Sequence, residues 1–121
     1  MTPRYLIIGA SGFIGSRLFS FLGPDNAVAT YCNRPMAGGV RFDALDKRLA
    51  DAVLKQHNSL THAFIFHGIT NIDACARDPQ ETERVNVTSV LAVIDDLIKR
   101  GIVPVFASSD AVFDGTRGMW T

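Results

Sequence analysis

The chain is poor in cysteine, carries no net charge and has no long hydrophobic run. Cys32 and Cys75 are its two cysteines, and their spacing fits neither a metal site nor a redox motif. Twelve basic and twelve acidic residues cancel, so no overall field attracts nucleic acid or an anionic membrane. No apolar run reaches the roughly 18 residues of a membrane span. These deficits predict a reduced, cytoplasmic protein with no metal ion, no nucleic-acid partner and no membrane partner.

The sequence does contain an alternation of strand-like and helix-like segments. The first strand-like run starts at residue 4, too early for a signal peptide to precede it. Apolar runs predict strands over residues 4–8, 27–32, 40–42, 63–66 and 102–107, and helical patterns lie between them at residues 12–22, 45–57 and 79–100. Residues 1–121 are therefore predicted to form one α/β domain. We expect a doubly wound parallel sheet of the Rossmann type, with strand order 3-2-1-4-5 and ending after strand five.

Each helical pattern also predicts the face that packs on the sheet. The apolar positions of the first helix are Ile14, Leu18, Phe21 and Leu22, and those of the second are Leu45, Leu49, Ala52 and Val53. The third helix presents Val87, Val90, Leu91, Ile94, Leu97 and Ile98. Asp78, Pro79 and Glu81 predict its start, and Gly101 predicts its end.

Three glycines follow the first strand, at the spacing Gly-x-x-Gly-x-x-Gly. Gly9 permits a tight turn, Gly12 lets a pyrophosphate approach the backbone, and Gly15 lets the helix lie close to the strand. The helix N-terminus supplies N–H groups and partial positive charge to the anion. The segment therefore predicts a dinucleotide site whose phosphate-binding residues are Gly9, Ser11, Gly12, Phe13, Ile14 and Gly15.

The end of the second strand predicts which dinucleotide is bound. A site for NAD usually carries an acidic residue there, whereas a site for NADP lacks the acid and offers an arginine. Here Asn33 and Arg34 follow the strand, which favours NADP(H) over NAD(H); the alternative is that Arg34 is a solvated loop cation. His67 and Gly68 follow the fourth strand and are predicted to line the cofactor groove. His67 is also a candidate proton donor, although a packed or hydrogen-bonded role is more common for such a histidine.

A second motif, Phe-Ala-Ser-Ser-Asp-Ala-Val-Phe-Asp-Gly, occupies residues 106–115. Together with the glycine turn and the segments 69–75, 78–79 and 85–87, it resembles the extended short-chain dehydrogenase/reductases over nearly the whole chain. The resemblance is greatest to the dTDP-4-dehydrorhamnose reductases, which are sugar-nucleotide reductases. It implies that Ser109 is the catalytic residue that orients the substrate carbonyl, and that Asn86 supports the site. By the same analogy Asp43 recognises adenine; the alternative is that Asp43 caps the next helix.

The chain departs from this family in one respect. The family uses a Tyr-x-x-x-Lys pair downstream of the serine, whereas the tyrosines here are Tyr5 and Tyr31, both upstream and neither followed by such a lysine. We therefore expect the N-terminal, NADP-binding part of a longer reductase or a truncated relative, without the substrate lobe. The implied partners are the dinucleotide and, in an intact protein, a nucleotide-linked sugar, and a homodimer is left open. The alternatives are a non-catalytic nucleotide-binding regulatory subunit and an epimerase or dehydratase with tightly held NAD.

Overall fold

The structure is a computed structural model that describes residues 3–108. Within these residues five parallel strands form one sheet in the order β3-β2-β1-β4-β5, which confirms the predicted order. The strands are β1 (Tyr5–Ile8), β2 (Ala27–Tyr31), β3 (Val40–Arg41), β4 (His62–Ile65) and β5 (Val103–Phe106). Because all five run in the same direction, their carboxyl ends meet at one edge of the sheet, where ligands of such folds bind.

Helices cover both faces of this sheet. They are α1 (Phe13–Leu22), α2 (Leu49–Ala52), α3 (Ile72–Arg77), α4 (Pro79–Glu83) and α5 (Ser89–Lys99), with a 3-10 turn at Leu54–Gln56 and a π-helical segment at Arg84–Thr88 between α4 and α5. One face packs Ile7, Ala10, Ala27 and Ala29 against α1. The other face packs the larger core, to which α2 and α5 contribute Leu49, Val93 and Leu97.

The second predicted helix, residues 45–57, is wrong in extent. A turn occupies its first residues, because the Asp43 carboxylate accepts from the Leu45 amide at 3.0 Å and the Asp43 carbonyl accepts from Asp46 and Lys47. Helix α2 then covers four residues and ends at Val53, whose φ of −132° is not helical. Asp43 thus caps a turn rather than the helix itself.

The predicted inward face of α1 is also partly wrong. Ile14 and Phe21 are 60% and 85% exposed, whereas Leu18, Phe19 and Leu22 pack against the sheet. The reason is Gly15, which lies against the backbone of Gly9 and Ala10. With Gly15 innermost, positions three, four and seven residues later face the sheet, and positions 14 and 21 turn outward.

Helix α5 shows a similar rotation relative to its predicted face. Its buried apolar residues are Val90, Val93 and Leu97, while Leu91 and Ile98 are 60% and 62% exposed and Val87 is also exposed. Two features set this rotation. The π-helical segment before α5 adds a residue to one turn and shifts the phase of the helix after it, and Asp96 on the inner side is held by α2.

Asp96 is a buried carboxylate that ties α5 to the start of α2. It accepts from Arg48 Nε at 3.2 Å and from the Ala50 amide at 3.1 Å. Burial alone would raise the pKa of Asp96, but these hydrogen bonds outweigh it and hold the pKa below its usual value. The ion pair therefore orients α5, whose N-terminal end faces the carboxyl edge of the sheet.

The predicted ends of the third helix are confirmed. Asp78 Oδ1 accepts from the Glu81 amide at 3.1 Å and Pro79 occupies the first helical position. At the other end Gly101 has a φ of +71°, and the amides of Gly101 and Ile102 bond to the carbonyls of Ile98 and Leu97. Such a glycine cap ends α5 and turns the chain into β5.

Candidate functional site

A cleft of about 500 Å³ lies at the carboxyl edge of the sheet. Its size is within the usual range for a small-molecule site. Eight of the residues singled out from the sequence line it together: Gly9, Ser11, Gly12, Asn33, Arg34, Asp43, His67 and Gly68. Phe13, Ile14, Gly15 and Asn86 are not in its lining, and Ser109 falls outside the described residues.

The glycine turn forms part of this cleft. Its three positions differ in why a glycine is present. Gly9 has a φ of +83°, and a Cβ there would lie 2.9 Å from the His67 amide nitrogen. A Cβ on Gly15 would collide with the backbone of Gly9 and Ala10. A Cβ on Gly12 would meet only the Gly9 carbonyl oxygen, at an ordinary 3.5 Å. The fold therefore requires Gly9 and Gly15 but leaves the space beside Gly12 open.

The N-terminus of α1 opens beside that space. Gly12 provides no side-chain cap, and within residues 3–108 the amides of Phe13, Ile14 and Gly15 bond to no acceptor. The side chains of Phe13 and Ile14 are exposed to solvent. Any contact of these two residues with a phosphate would therefore be made by their backbone amides. Unpaired N–H groups at a helix start are a site for an anion such as a phosphate.

The wall formed by the β2–β3 connection carries Cys32, Asn33 and Arg34. Arg34 is exposed, and no acidic side chain pairs with it in the described part of the chain. Burial and the nearby Asp43 carboxylate raise the pKa of the Cys32 thiol. The Cys32 thiol is therefore protonated and uncharged. Among the described residues, the side chain of this wall that carries an unpaired positive charge is Arg34.

His67 projects from the end of β4 toward α5. Its Nε2 lies 3.0 Å from Ser89 Oγ, and that hydroxyl donates to the Val85 carbonyl. The Ser89 oxygen must therefore accept from His67 Nε2–H. The other ring nitrogen, Nδ1, is buried and has no partner among the described residues. Because Nε2 is bonded to Ser89 and Nδ1 is buried, this geometry gives His67 a packing and hydrogen-bonding role rather than a route for a proton into the cleft.

Asn86 lies outside the cleft but fixes the loop that follows β4. Its amide group bonds to both backbone groups of Ile69, with Oδ1 accepting at 2.7 Å and Nδ2 donating at 2.9 Å. Gly68, with a φ of +155°, leaves room for this pair, since a Cβ there would lie 3.1 Å from Asn86 Oδ1. Asn86 sits in the π-helical segment, a feature often found at functional sites.

The sequence interpretation missed the wall contributed by the long helical region. Glu81, Val85 and Ser89 line the cleft, and Glu81 is paired with Arg84 at 2.6 Å. These three residues are spaced four apart, so their shared helix face could have been identified from the sequence. Its relation to the glycine turn, some 70 residues earlier, could not.

His67 should give the protein a pH-dependent stability. Burial lowers the pKa of His67 below the ordinary value of 6.5, so the unfolded chain takes up a proton that the folded chain resists. The stabilisation is complete above about pH 6.5 and is lost as the pH falls toward the lowered pKa. Thermal melting followed by circular dichroism from about pH 7.5 to about pH 5.5 should show a decreasing Tm. His67→Gln, which can still donate to Ser89, should flatten that decrease; an unchanged decrease would assign it to other groups.

No helix among residues 3–108 is long and apolar enough to cross a membrane. In the same residues no group of three or more histidine, cysteine or acidic side chains is placed to hold a metal ion.

The fold and the glycine turn define a Rossmann-type domain, and comparison with known proteins shows the fold of sugar-nucleotide reductases and epimerases, N-terminal part only. The chain belongs to the RmlD substrate binding domain family, whose pattern matches residues 3–121. A comparison with curated proteins found no match.

Solved structures agree with this assignment. A hypothetical dTDP-4-dehydrorhamnose reductase from Sulfolobus tokodaii is 27% identical, with a TM-score of 0.86 over 98% of this chain and 43% of that one. The protein MoeE5, in complex with UDP-glucose and NAD, is 28% identical with a TM-score of 0.80, over 97% and 40%. A UDP-glucose-4-epimerase from Stenotrophomonas maltophila with bound NAD is 19% identical with a TM-score of 0.76, over 91% and 38%, and shows the fold alone. The chain thus spans less than half of each of these relatives.

Proposed function

We propose that the chain is the NADP(H)-binding part of an oxidoreductase that reduces a keto group on a nucleotide-linked sugar. The observation that carries the cofactor half of this proposal is the open space at Gly12 beside the unpaired amides of α1. A Cβ would fit in that space without a collision, so its emptiness fits a ligand that approaches the backbone. A pyrophosphate has the charge and the acceptors that these amides require.

In this proposal, residues in and beside the cleft contact different parts of the dinucleotide. Gly12 and the amides of Phe13, Ile14 and Gly15 hold the pyrophosphate, and Arg34 holds the 2′-phosphate. Asp43, His67 and Gly68 line the adenosine side, where Asn86 keeps the loop after β4 in place. When bound, the reduced nicotinamide supplies a hydride. Ser109, which follows β5, orients the carbonyl of the substrate by a hydrogen bond, as the family resemblance implies.

Arg34 is the residue that distinguishes the two cofactors in this proposal. A charge-assisted hydrogen bond contributes about 1.5–3 kcal/mol, so NADPH should bind roughly tenfold or more tightly than NADH. Arg34→Ala should bring NADPH binding down to the NADH level, because only the 2′-phosphate loses a partner. Titration of both cofactors against both proteins, followed by fluorescence, measures the two ratios.

Arg100→Ala is the matched control for this experiment. Arg100 is exposed and lies just before β5, at the opposite edge of the sheet, so its removal changes the net charge equally without touching the cleft. Its ratio should equal that of the wild type. If the wild type bound NADH more tightly than NADPH, the assignment to NADP would be overturned. The selectivity of this wall would then be assigned to Asp43 instead of Arg34.

A second candidate is an epimerase or dehydratase that keeps NAD bound, and a relative favours it. MoeE5, at 28% identity, is described in complex with NAD and UDP-glucose. Release of the nucleotide from purified protein by acid, followed by chromatography, separates the two candidates. Retained NAD would support the second candidate, whereas protein purified empty and binding NADPH in solution would support the first.

A further inference from the structure

The loop that carries Arg34 is attached to the body of the domain by few contacts. It runs from Asn33 to Gly39, between β2 and β3. Its base is closed by the Phe42 amide, which donates to the Tyr31 carbonyl at 2.8 Å, and its tip by the Gly39 amide, which donates to the Met36 carbonyl at 3.2 Å. Residues 33–38 are exposed with the single exception of Met36.

Met36 is the point at which this loop is held. Its side chain packs against the apolar cluster beneath α1, formed by Ile7, Ala10, Ala27 and Ala29. That cluster lies under the glycine turn, because Ala10 follows Gly9 and its amide donates to the Thr30 carbonyl at 2.8 Å. Met36 therefore ties the Arg34 loop to the same part of the domain that supports the phosphate-binding turn.

The space that Met36 occupies depends on Gly39. A Cβ on Gly39 would lie 2.6 Å from Met36 Cγ and 2.9 Å from the Tyr31 ring. The side chain of Met36 thus lies between the sheet, Tyr31 and Gly39, and it fits there because Gly39 has no side chain. Met36 itself is not in the lining of the cleft, so it does not reach a bound dinucleotide.

We propose that Met36 is a positioning residue for recognition of the 2′-phosphate. Packing of Met36 on the α1 cluster holds the loop so that Arg34 stays at the cleft, and the preference for NADPH depends on it. The physical reason is preorganisation: a loop already ordered in the free protein loses less conformational entropy when Arg34 binds the phosphate. This inference rests on the proposed function, since it requires that Arg34 bind that phosphate.

The test is the ratio of the NADH and NADPH dissociation constants in a set of variants. Met36→Ala should lower the ratio by about two- to tenfold, the effect of ordering one side chain, and should leave NADH binding nearly unchanged. Met36→Leu conserves the volume and should restore the ratio. In an Arg34→Ala background, Met36→Ala should have no further effect on the ratio, as expected for two residues acting through one contact.

Two further variants separate positioning from general stability. Leu22 packs on the same cluster from α1, so Leu22→Ala should lower the Tm while the cofactor ratio stays at the wild-type value. Gly39→Ala crowds Met36 without removing it and should lower the ratio, which keeps the test available if Met36→Ala folds poorly.

The outcomes distinguish this inference from the function on which it rests. A normal ratio in both Met36→Ala and Gly39→Ala, with a reduced ratio in Arg34→Ala, would overturn the role of Met36 alone. So would an equal loss of affinity for both cofactors in Met36→Ala. An Arg34→Ala ratio equal to that of the wild type would overturn both the role of Met36 and the assignment of Arg34.

Discussion

Gly12→Val is expected to abolish dinucleotide binding while the domain stays folded. The backbone of Gly12 is extended, with φ of −77° and ψ of 177°, a conformation that valine adopts readily. The structure offers no collision there, since the first side-chain atom would meet the Gly9 carbonyl at 3.5 Å. The added methyl groups would instead occupy the approach to the amides of α1. Loss of two charge-assisted hydrogen bonds, each about 1.5–3 kcal/mol, corresponds to roughly hundredfold weaker binding or more.

Gly15→Ala provides the contrast that makes this experiment decisive. An added Cβ at Gly15 would run into the backbone of Gly9 and Ala10, so we expect this variant to lose thermal stability as well as binding. Gly12→Val places valine at the N-cap of α1, where glycine is preferred, so it should lower the Tm much less than Gly15→Ala while it loses binding. Calorimetric titration with NADPH and NADH, together with melting curves, measures both properties. If the wild type and Gly12→Val bound the dinucleotides with equal affinity, the glycine turn would not be part of the binding site.

The sheet could be predicted from the sequence because its signals are local and repeated. Buried parallel strands appear as short apolar runs, and their order follows from the handedness of the connections. The phosphate-binding turn could also be predicted from the sequence, because all of its residues lie within seven consecutive positions of the chain. Gly9 illustrates the limit of such a local signal: its tight turn was predicted, but its close contact with the His67 amide depends on a strand some 60 residues away.

The rotation of the helices could not be predicted from apolar periodicity. In α1 the pattern of Ile14, Leu18 and Phe21 competes with that of Gly15, Leu18 and Leu22, and the second prevails because glycine allows the closest approach. In α5 the phase depends on the π-helical segment around Asn86 and on the pairing of Asp96 with Arg48, neither of which has a periodic signature. The part of the cleft formed by Glu81, Val85 and Ser89 was missed for a different reason: their spacing is regular, but it does not show that this helix face lies opposite a glycine turn some 70 residues earlier.

The second large effect concerns catalysis: residues 1–121 alone are expected to bind NADPH but not to reduce a keto-sugar nucleotide. Ketone reduction requires a positioned proton donor, and general acid catalysis contributes about 10²–10⁴-fold. Neither tyrosine supplies it. Tyr5 starts β1, at the sheet edge away from the cleft, with its ring near those of His62 and Phe64. Tyr31 lies on the β2 wall beside Arg34, on the side proposed for the 2′-phosphate.

His67 is the remaining candidate, and the structure argues against it. Its Nε2 is bonded to Ser89 at 3.0 Å and its Nδ1 is buried, so a proton would have no route to a substrate. The assay is oxidation of NADPH with a panel of keto-sugar nucleotides, after binding of NADPH has been verified on the same sample. Absence of turnover with intact binding is the expected result. Robust turnover that disappears in His67→Gln would make His67 the proton donor, and turnover that survives this change would require a donor other than His67 and the two tyrosines; either result would overturn our account of the site.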